Sequence, residues 1–244
     1  MNEVKAPWLK FYGVVPHHLT YPELTMAQAV EETAKKHPTA VAYEFMGKKT
    51  TYEKAVKDMH LCAKALRAMG IGENDRVTIC MPNAPQTVSM FYAVNLIGAV
   101  SNMVHPLSSE NEIAFYLNDS RSVAAITLDQ FYGKFAAIRE KTTLKRLIIT
   151  SVADALMPVM ALGYKLTEGK KIAPLPKDAD IVLWKDFLKA GARYKDAYLF
   201  PKKAEEGAAI LYSGGTTGVT TGILLSNLNF NALAQQTIAM NPII

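Results

Sequence analysis

The chain has 244 residues, of which 50% are hydrophobic, and a formal net charge of +5. This apolar content can bury a sizeable core and excludes a disordered chain, while the mild positive charge does not by itself indicate nucleic acid. No apolar run approaches the ~20 residues that span a bilayer, and the first residues lack the apolar segment of a signal peptide. Cys62 and Cys80 lie in apolar patterns without metal-ligand spacing, which predicts buried, reduced thiols of a cytoplasmic protein.

The first 70 residues predict an arm followed by two helices and a strand. Residues 1–24 carry scattered aromatics and prolines, so we expect an N-terminal arm that packs onto the body. A capping box predicts a helix over 25–36, and alternation predicts a strand over 40–45 followed by a turn. Thr50 is expected to cap the next helix, which ends at Gly70.

Residues 76–150 alternate regularly between strand and helix patterns. Apolar, β-branched strands that alternate with amphipathic helices are typical of a mostly parallel sheet with helices on both faces, so the predicted fold class is α/β. Residues 151–207 are less regular, and we expect a surface excursion with one short strand or helix. The predicted strands are 76–81, 99–104, 123–127 and 146–150. Three helices are predicted between them: 83–97 with Asn83 as its cap, a second that begins at a capping box at Ser109, and 130–140.

The stretch from Ile210 to Phe230 is the feature around which the chain is organised. It reads as a strand, a loop at residues 213–222, a second strand over 223–225 and a helix from Ser226. The loop holds four glycines and four threonines, and we call it the Gly/Thr loop. Its backbone is free to turn tightly and to present N–H groups to an anion. An ordinary turn is the commoner explanation of such a composition, and the order of the residues favours phosphate.

That order resembles the loop of the adenylate-forming enzymes, the family that includes the acyl-CoA synthetases. The matching residues run Tyr212-Ser213-Gly214-Gly215-Thr216-Thr217-Gly218, then Gly222 to Ser226 and Asn229. The resemblance covers about residues 25–240 and implies the opening part of the family's large N-terminal domain. Further similar segments are Thr51-Tyr52-Glu53, Gly70 to Val77, Met81-Pro82-Asn83, and Gly98 to Pro106.

The resemblance implies an ATP-dependent, AMP-forming acid–CoA ligase that uses ATP, Mg²⁺ and coenzyme A to activate a carboxylic or fatty acid. In that scheme the backbone at 214–218 and the hydroxyls of Thr216 and Thr217 hold the β- and γ-phosphates, and Ser213 lies near the metal. No catalytic side chain is expected in this chain. The expected cofactor-binding residues are Ser213, Gly214, Gly215, Thr216, Thr217, Gly218 and Thr221, with Ser213 also the metal residue.

Three positions depart from the family's usual pattern. Thr221 stands where the family usually has a lysine, preceded by Thr220 in place of proline, and Asn227 stands where it usually has a histidine. Without the lysine ammonium, less positive charge neutralises a bound polyphosphate.

His105 follows the strand at 99–104 and so lies at the sheet edge where a ligand is expected. A loop histidine with a structural hydrogen bond is the favoured interpretation. The remaining histidines lack metal-ligand spacing.

Residues 25–244 are therefore expected to form an incomplete N-terminal AMP-binding domain, with the family's remaining machinery and its C-terminal domain downstream. We expect no turnover from these residues alone, and the missing remainder of the domain is an expected partner, whereas nucleic acid is not. Three hypotheses stay open: the N-terminal part of a ligase, a non-catalytic nucleotide- or phosphate-binding module, and half of a split ligase that binds a partner chain.

Overall fold

The computed structural model describes residues 6–200, 202–214 and 220–241. The regular elements, in chain order, are α1 (Met26–Lys36), β1 (Val41–Phe45), β2 (Lys48–Thr51), α2 (Tyr52–Ala68), β3 (Arg76–Cys80), α3 (Pro85–Leu96), β4 (Val100–Met103), α4 (Glu110–Ser120), β5 (Ala124–Leu128), α5 (Tyr132–Ile138), β6 (Arg146–Thr150), α6 (Pro158–Leu166), β7 (Ile181–Leu183), α7 (Trp184–Arg193), β8 (Gly207–Tyr212), β9 (Gly222–Ser226) and α8 (Asn227–Met240).

A seven-stranded sheet in the order β7-β6-β5-β3-β4-β8-β9 forms the centre of the fold. Every pair from β7 to β8 is parallel, and only the β8–β9 pair is antiparallel. β1 and β2 form a separate antiparallel hairpin. The predicted α/β fold with a mostly parallel sheet is therefore confirmed.

Helices cover both faces of this sheet, and each face has its own core. Side chains alternate between the faces along β5, so Ile126 packs with α2, α3 and α7, whereas Ala125 packs with α4 and α5. All five residues of β5 are buried. Burial from both sides explains why the central strands read as continuous apolar runs in the sequence.

Two predicted helix caps are confirmed and two are wrong. Thr25 and Ser109 each form a complete capping box. Thr50 instead pairs with Tyr43 inside the hairpin, so Thr51 caps α2 by accepting a hydrogen bond from the Lys54 N–H. At α3 the N-cap is Ala84 rather than Asn83, and no side chain caps the helix. Pro85 starts α3, since its fixed φ suits the first helical turn.

The segment 151–207 is more regular than expected. It contributes β7 to the main sheet, as well as α6 and α7. Phe187 of α7 is fully buried, so α7 belongs to the core, whereas α6 has no buried residue and lies at the surface, as expected of an excursion. The three residues of β7 are too few to show a strand period, which is why the sequence did not predict the strand.

Both cysteines are free and buried, as predicted. Burial raises the pKa of both thiols, that of Cys80 from 9.0 to about 12. Among the described residues, no helix combines the length and the apolarity that crossing a membrane requires.

Candidate functional site

The Gly/Thr loop connects β8 to β9 at one end of the sheet, as predicted. Tyr212 pairs with Gly222 across the two strands, and the Ser213 N–H donates a hydrogen bond to the Thr221 carbonyl at 3.1 Å. β3 to β6 run parallel to β8, so this end is the carboxyl edge, where open α/β sheets bind ligands. The backbone hydrogen bond fixes the two ends of the loop relative to each other.

The structure places three of the predicted site residues and leaves four outside the described part of the chain. Ser213 and Thr221 are brought together at the base of the loop, and Gly214 follows on the same strand end. The Ser213 hydroxyl donates to the Thr221 carbonyl over a long 3.5 Å, so its oxygen keeps its acceptor capacity. Predictions for Gly215, Thr216, Thr217 and Gly218 lie outside the described residues.

Tyr212 anchors the first end of the loop to α4. Its hydroxyl donates to the Tyr116 carbonyl and to Asp119 Oδ2, both at 3.3 Å, and its ring lies 4.2 Å from the Tyr116 ring. Burial and the nearby Asp119 carboxylate raise the pKa of Tyr212 above its ordinary value. The phenol therefore stays a neutral donor at physiological pH. Nothing in the sequence pattern pointed to this contact.

The second end of the loop is fixed by the start of α8. Ser226 and Asn229 form a capping box, in which the Asn229 N–H donates to Ser226 Oγ at 3.2 Å and the Ser226 N–H donates to Asn229 Oδ1 at 2.9 Å. The box satisfies backbone donors that a helix start would otherwise leave unpaired. β9 therefore passes into α8 with a defined direction.

Asn227 lies in the core. Its side chain is fully buried, and its Oδ1 accepts hydrogen bonds from the Met26 N–H at 3.0 Å and from Asn95 Nδ2 at 2.8 Å. Its Nδ2 donates to the carbonyls of Lys203 and Glu206, both at 3.4 Å. Asn227, which stands where the family usually has a histidine, therefore has a packing role that joins α8 to α1 and α3.

His105 has the structural role that we favoured. Its Nδ1 accepts a hydrogen bond from the Leu107 N–H at 3.2 Å, and its carbonyl accepts one from Cys80 Sγ at 3.9 Å. Lys134 holds the same turn through the carbonyls of Pro106 and Ser108. Among the described residues, no three His, Cys, Asp or Glu side chains are grouped so that they could hold a metal ion.

Comparison with known sequences finds a family model described as "AMP-binding enzyme" that matches residues 30–243. The long-chain-fatty-acid–CoA ligase of Bacillus subtilis is 32% identical over 232 residues, which are 93% of this chain and 41% of that protein. The long-chain-fatty-acid–CoA ligase of Salmonella typhimurium is 27% identical over 239 residues, which are 96% of this chain and 42% of that protein. The chain thus spans about two fifths of the length of these relatives.

Solved structures share the fold at low sequence identity. A long-chain-fatty-acid–CoA ligase from Archaeoglobus fulgidus superposes with a TM-score of 0.70 and 20% identity, covering 91% of this chain and 40% of that one. An anthranilate–CoA ligase in complex with anthranoyl-AMP superposes with a TM-score of 0.72 and 16% identity, covering 89% of this chain and 37% of that one. At these identities the likeness supports the fold alone.

Proposed function

The chain belongs to the AMP-binding enzyme family, and we propose that it forms the first part of an ATP-dependent, AMP-forming acid–CoA ligase. The observation that carries this proposal is the position of the Gly/Thr loop. It joins β8 to β9, ahead of α8, at the carboxyl edge of the seven-stranded sheet. A fatty acid is the substrate class that we propose, because the relatives named above are long-chain-fatty-acid–CoA ligases.

The proposed reaction has two steps. A carboxylate oxygen of the acid attacks the α-phosphorus of ATP, which forms an acyl-adenylate and releases pyrophosphate. The sulfur of coenzyme A then attacks the acyl carbon, and AMP leaves. Reactions of this kind depend on positioning and on stabilisation of charge more than on a protein nucleophile.

In this proposal the chain's own contribution is to bind and orient the phosphates. Backbone N–H groups at 214–218 and the hydroxyls of Thr216 and Thr217 donate hydrogen bonds to the β- and γ-phosphates. Ser213 Oγ keeps its acceptor capacity and would help to hold a Mg²⁺ ion, which would neutralise phosphate charge. The Ser213–Thr221 hydrogen bond and the Tyr212 anchor keep the ends of the loop in place before the nucleotide binds.

Thr221 supports a second candidate, a module that binds a nucleotide or phosphate without catalysis. Its side chain is exposed at the base of the loop, where a lysine would reach a bound polyphosphate. The Thr221→Lys variant separates the two functions, with Thr220→Lys as a control that adds the same charge one residue away. We expect Thr221→Lys to tighten Mg-ATP binding about tenfold, the effect of one charge-assisted contact, and the control to change it much less.

Calorimetric titration with Mg-ATP measures both variants. Equal effects of the two lysines would mean that charge alone acts, without a specific phosphate position at residue 221. No change from either lysine would contradict the ligase proposal and favour the non-catalytic module.

A further inference from the structure

A cavity of about 280 Å³ lies between α4 and the β8–β9 end of the sheet, and we call it the edge cavity. Its wall includes Ile210 of β8 and Leu224 of β9, which pair with each other across the two strands. Leu224 is 60% exposed, so this aliphatic wall is open to a ligand. Of the described residues of the Gly/Thr loop, only Gly222 reaches the cavity.

Four charged side chains, two of each sign, line the edge cavity. They are Arg76, Asp119, Lys202 and Glu206. None of the four forms an ion pair within the described part of the chain. Each is held by an uncharged group instead. Arg76 Nη1 donates to the Asn74 carbonyl at 3.0 Å, and Glu206 Oε2 accepts from the Lys203 N–H at 2.6 Å. Opposite charges therefore surround this cavity without neutralising one another, and the field between them is left for a ligand.

Lys202 is the buried member of this group, since the residue is only 9% exposed. Its Nζ donates one hydrogen bond, to the Gly207 carbonyl at 3.3 Å, which leaves two of its three donors without a partner among the described residues. Burial lowers the pKa of this ammonium, although Glu206 acts in the opposite direction. Gly207 also lines the cavity, so the ammonium lies at the cavity wall. A buried charge without a counter-ion is costly, and it calls for an anion.

Asp119 marks the other end of the cavity. Its Oδ2 accepts a hydrogen bond from the Tyr212 hydroxyl at 3.3 Å, and its Oδ1 accepts none from the described residues. A Cβ atom at Gly222, the strand partner of Tyr212, would lie 3.1 Å from the same Oδ2. Gly207 begins β8 and Tyr212 ends it, so their backbones are about 17 Å apart at ~3.3 Å per residue.

The two ends of the edge cavity therefore differ in charge. Arg76 begins β3, which runs parallel to β4 and so to β8, and this places it with Lys202 and Glu206 at the Gly207 end. Two cations face one carboxylate there, whereas Asp119 is the charged residue of the lining at the Tyr212 end. A ligand that satisfies both ends must carry a negative and a positive group that are separated by several bonds.

We propose that the edge cavity binds a small aliphatic ω-amino acid, a zwitterion whose carboxylate and ammonium lie at opposite ends of a methylene chain. The carboxylate contacts Lys202 and Arg76, and the ammonium contacts Asp119. The methylene groups pack on Ile210 and Leu224, which removes apolar surface from water. The volume lies just below the range of drug-sized sites, as suits a ligand of this size. This proposal does not depend on the ligase function, because no nucleotide contact enters it.

Calorimetric titration of the 244-residue chain with 6-aminohexanoate tests the proposal. We expect saturable binding at one site, weakened at least about tenfold by Lys202→Met, which removes the ammonium and keeps an aliphatic side chain. Lys203→Met is the matched control, because its neighbouring lysine is exposed and does not line the cavity, and it should bind as the unaltered chain does. A Thr216→Ala/Thr217→Ala variant should also bind normally, which separates this site from the phosphate site.

Two further ligands test the charge separation without any substitution. Norleucine is an isomer of 6-aminohexanoate with both charges at one end, and hexanoate lacks the ammonium. We expect each to bind at least about tenfold more weakly than 6-aminohexanoate, since each loses the contact with Asp119. Equal affinity of either ligand would overturn the assignment of Asp119. Absence of saturable binding of 6-aminohexanoate, or binding that Lys202→Met retains, would overturn the site.

Discussion

Asn95 Nδ2 donates a hydrogen bond to Asn227 Oδ1 at 2.8 Å in the core, although the two residues are 132 positions apart in the chain. Asn95 Oδ1 also accepts from the Ala27 N–H at 3.1 Å, and Asn227 Oδ1 accepts from the Met26 N–H. The two amides thus hold the start of α1 against α3 and α8. This contact fixes α8, and with it the second end of the Gly/Thr loop.

We predict that Asn227→Ala lowers the free energy of unfolding by about 2–4 kcal/mol, because it leaves the Met26 N–H and Asn95 Nδ2 buried without partners. Urea denaturation measures the change. A double-mutant cycle with Asn95→Ala should give a coupling energy of about 1–2 kcal/mol. Strict additivity would show that the two amides stabilise the fold independently.

The Ser226 capping box should contribute about 1 kcal/mol to stability, and Ser226→Ala should remove it. Ser226→Gly should cost only a few tenths of a kcal/mol, because glycine is itself tolerated at an N-cap. Thermal unfolding of the two variants makes the comparison. Equal losses would argue against a capping role for this hydroxyl.

Gly191 permits the close packing of α7 on α2. A Cβ atom at this position would lie 2.4 Å from the Leu61 carbonyl oxygen and 3.0 Å from the Ala65 Cβ. Gly191→Ala should therefore destabilise the protein by about 1–3 kcal/mol through overpacking.

Gly163 in α6 is the matched control, since a Cβ there meets nothing within 4 Å. Gly163→Ala should stabilise the protein by about 0.5–1 kcal/mol through helix propensity. Urea denaturation of both variants should give opposite signs. A stable Gly191→Ala protein would mean that the two helices can separate at little cost.

Ionisation of Cys80 should make the protein less stable at alkaline pH. Burial raises the pKa of this thiol from 9.0 to about 12, so the unfolded chain ionises first as the pH rises. The protonated Cys80 thiol thus stabilises the folded state relative to the unfolded one, fully below pH 9, and this contribution is lost between pH 9 and about 12. Between pH 8 and pH 10.5 the loss amounts to about 2 kcal/mol, since it develops over about 1.5 units above the unfolded pKa.

Cys80→Ala removes this titration and serves as the reference. Urea denaturation at both pH values should show a steeper decline for the unaltered chain than for the variant. Parallel declines would show that the folded thiol ionises as readily as the unfolded one.

Local patterns were enough to predict the sheet and most helices. β6 coincides with the predicted strand 146–150, because continuous apolar, β-branched residues are what burial on both faces requires. The capping boxes at Thr25 and Ser109 were recognisable because both partners lie within four residues. The three residues of β7 contain too little periodicity to predict a strand.

Contacts between distant residues could not be predicted. Asn227 reaches the Met26 N–H across 201 positions, and Tyr212 reaches Asp119 across 93, and neither contact leaves a local pattern. Thr50 and Thr51 are adjacent candidates for the N-cap of α2. Thr50 pairs with Tyr43 in the β1–β2 hairpin, which leaves Thr51 as the cap, and this pairing has no local sequence pattern. For the Gly/Thr loop, the roles of Thr216 and Thr217 stay predictions.

The most direct test of the proposed function is calorimetric titration of the 244-residue chain with pyrophosphate in the presence of Mg²⁺. The Thr216→Ala/Thr217→Ala variant serves as the comparison, and Thr142→Ala/Thr143→Ala, a threonine pair outside the loop, as the control. We expect saturable binding that the loop variant weakens at least about tenfold and the control retains. Absence of binding, or equal binding by the loop variant, would contradict the assignment of the phosphate site to the Gly/Thr loop.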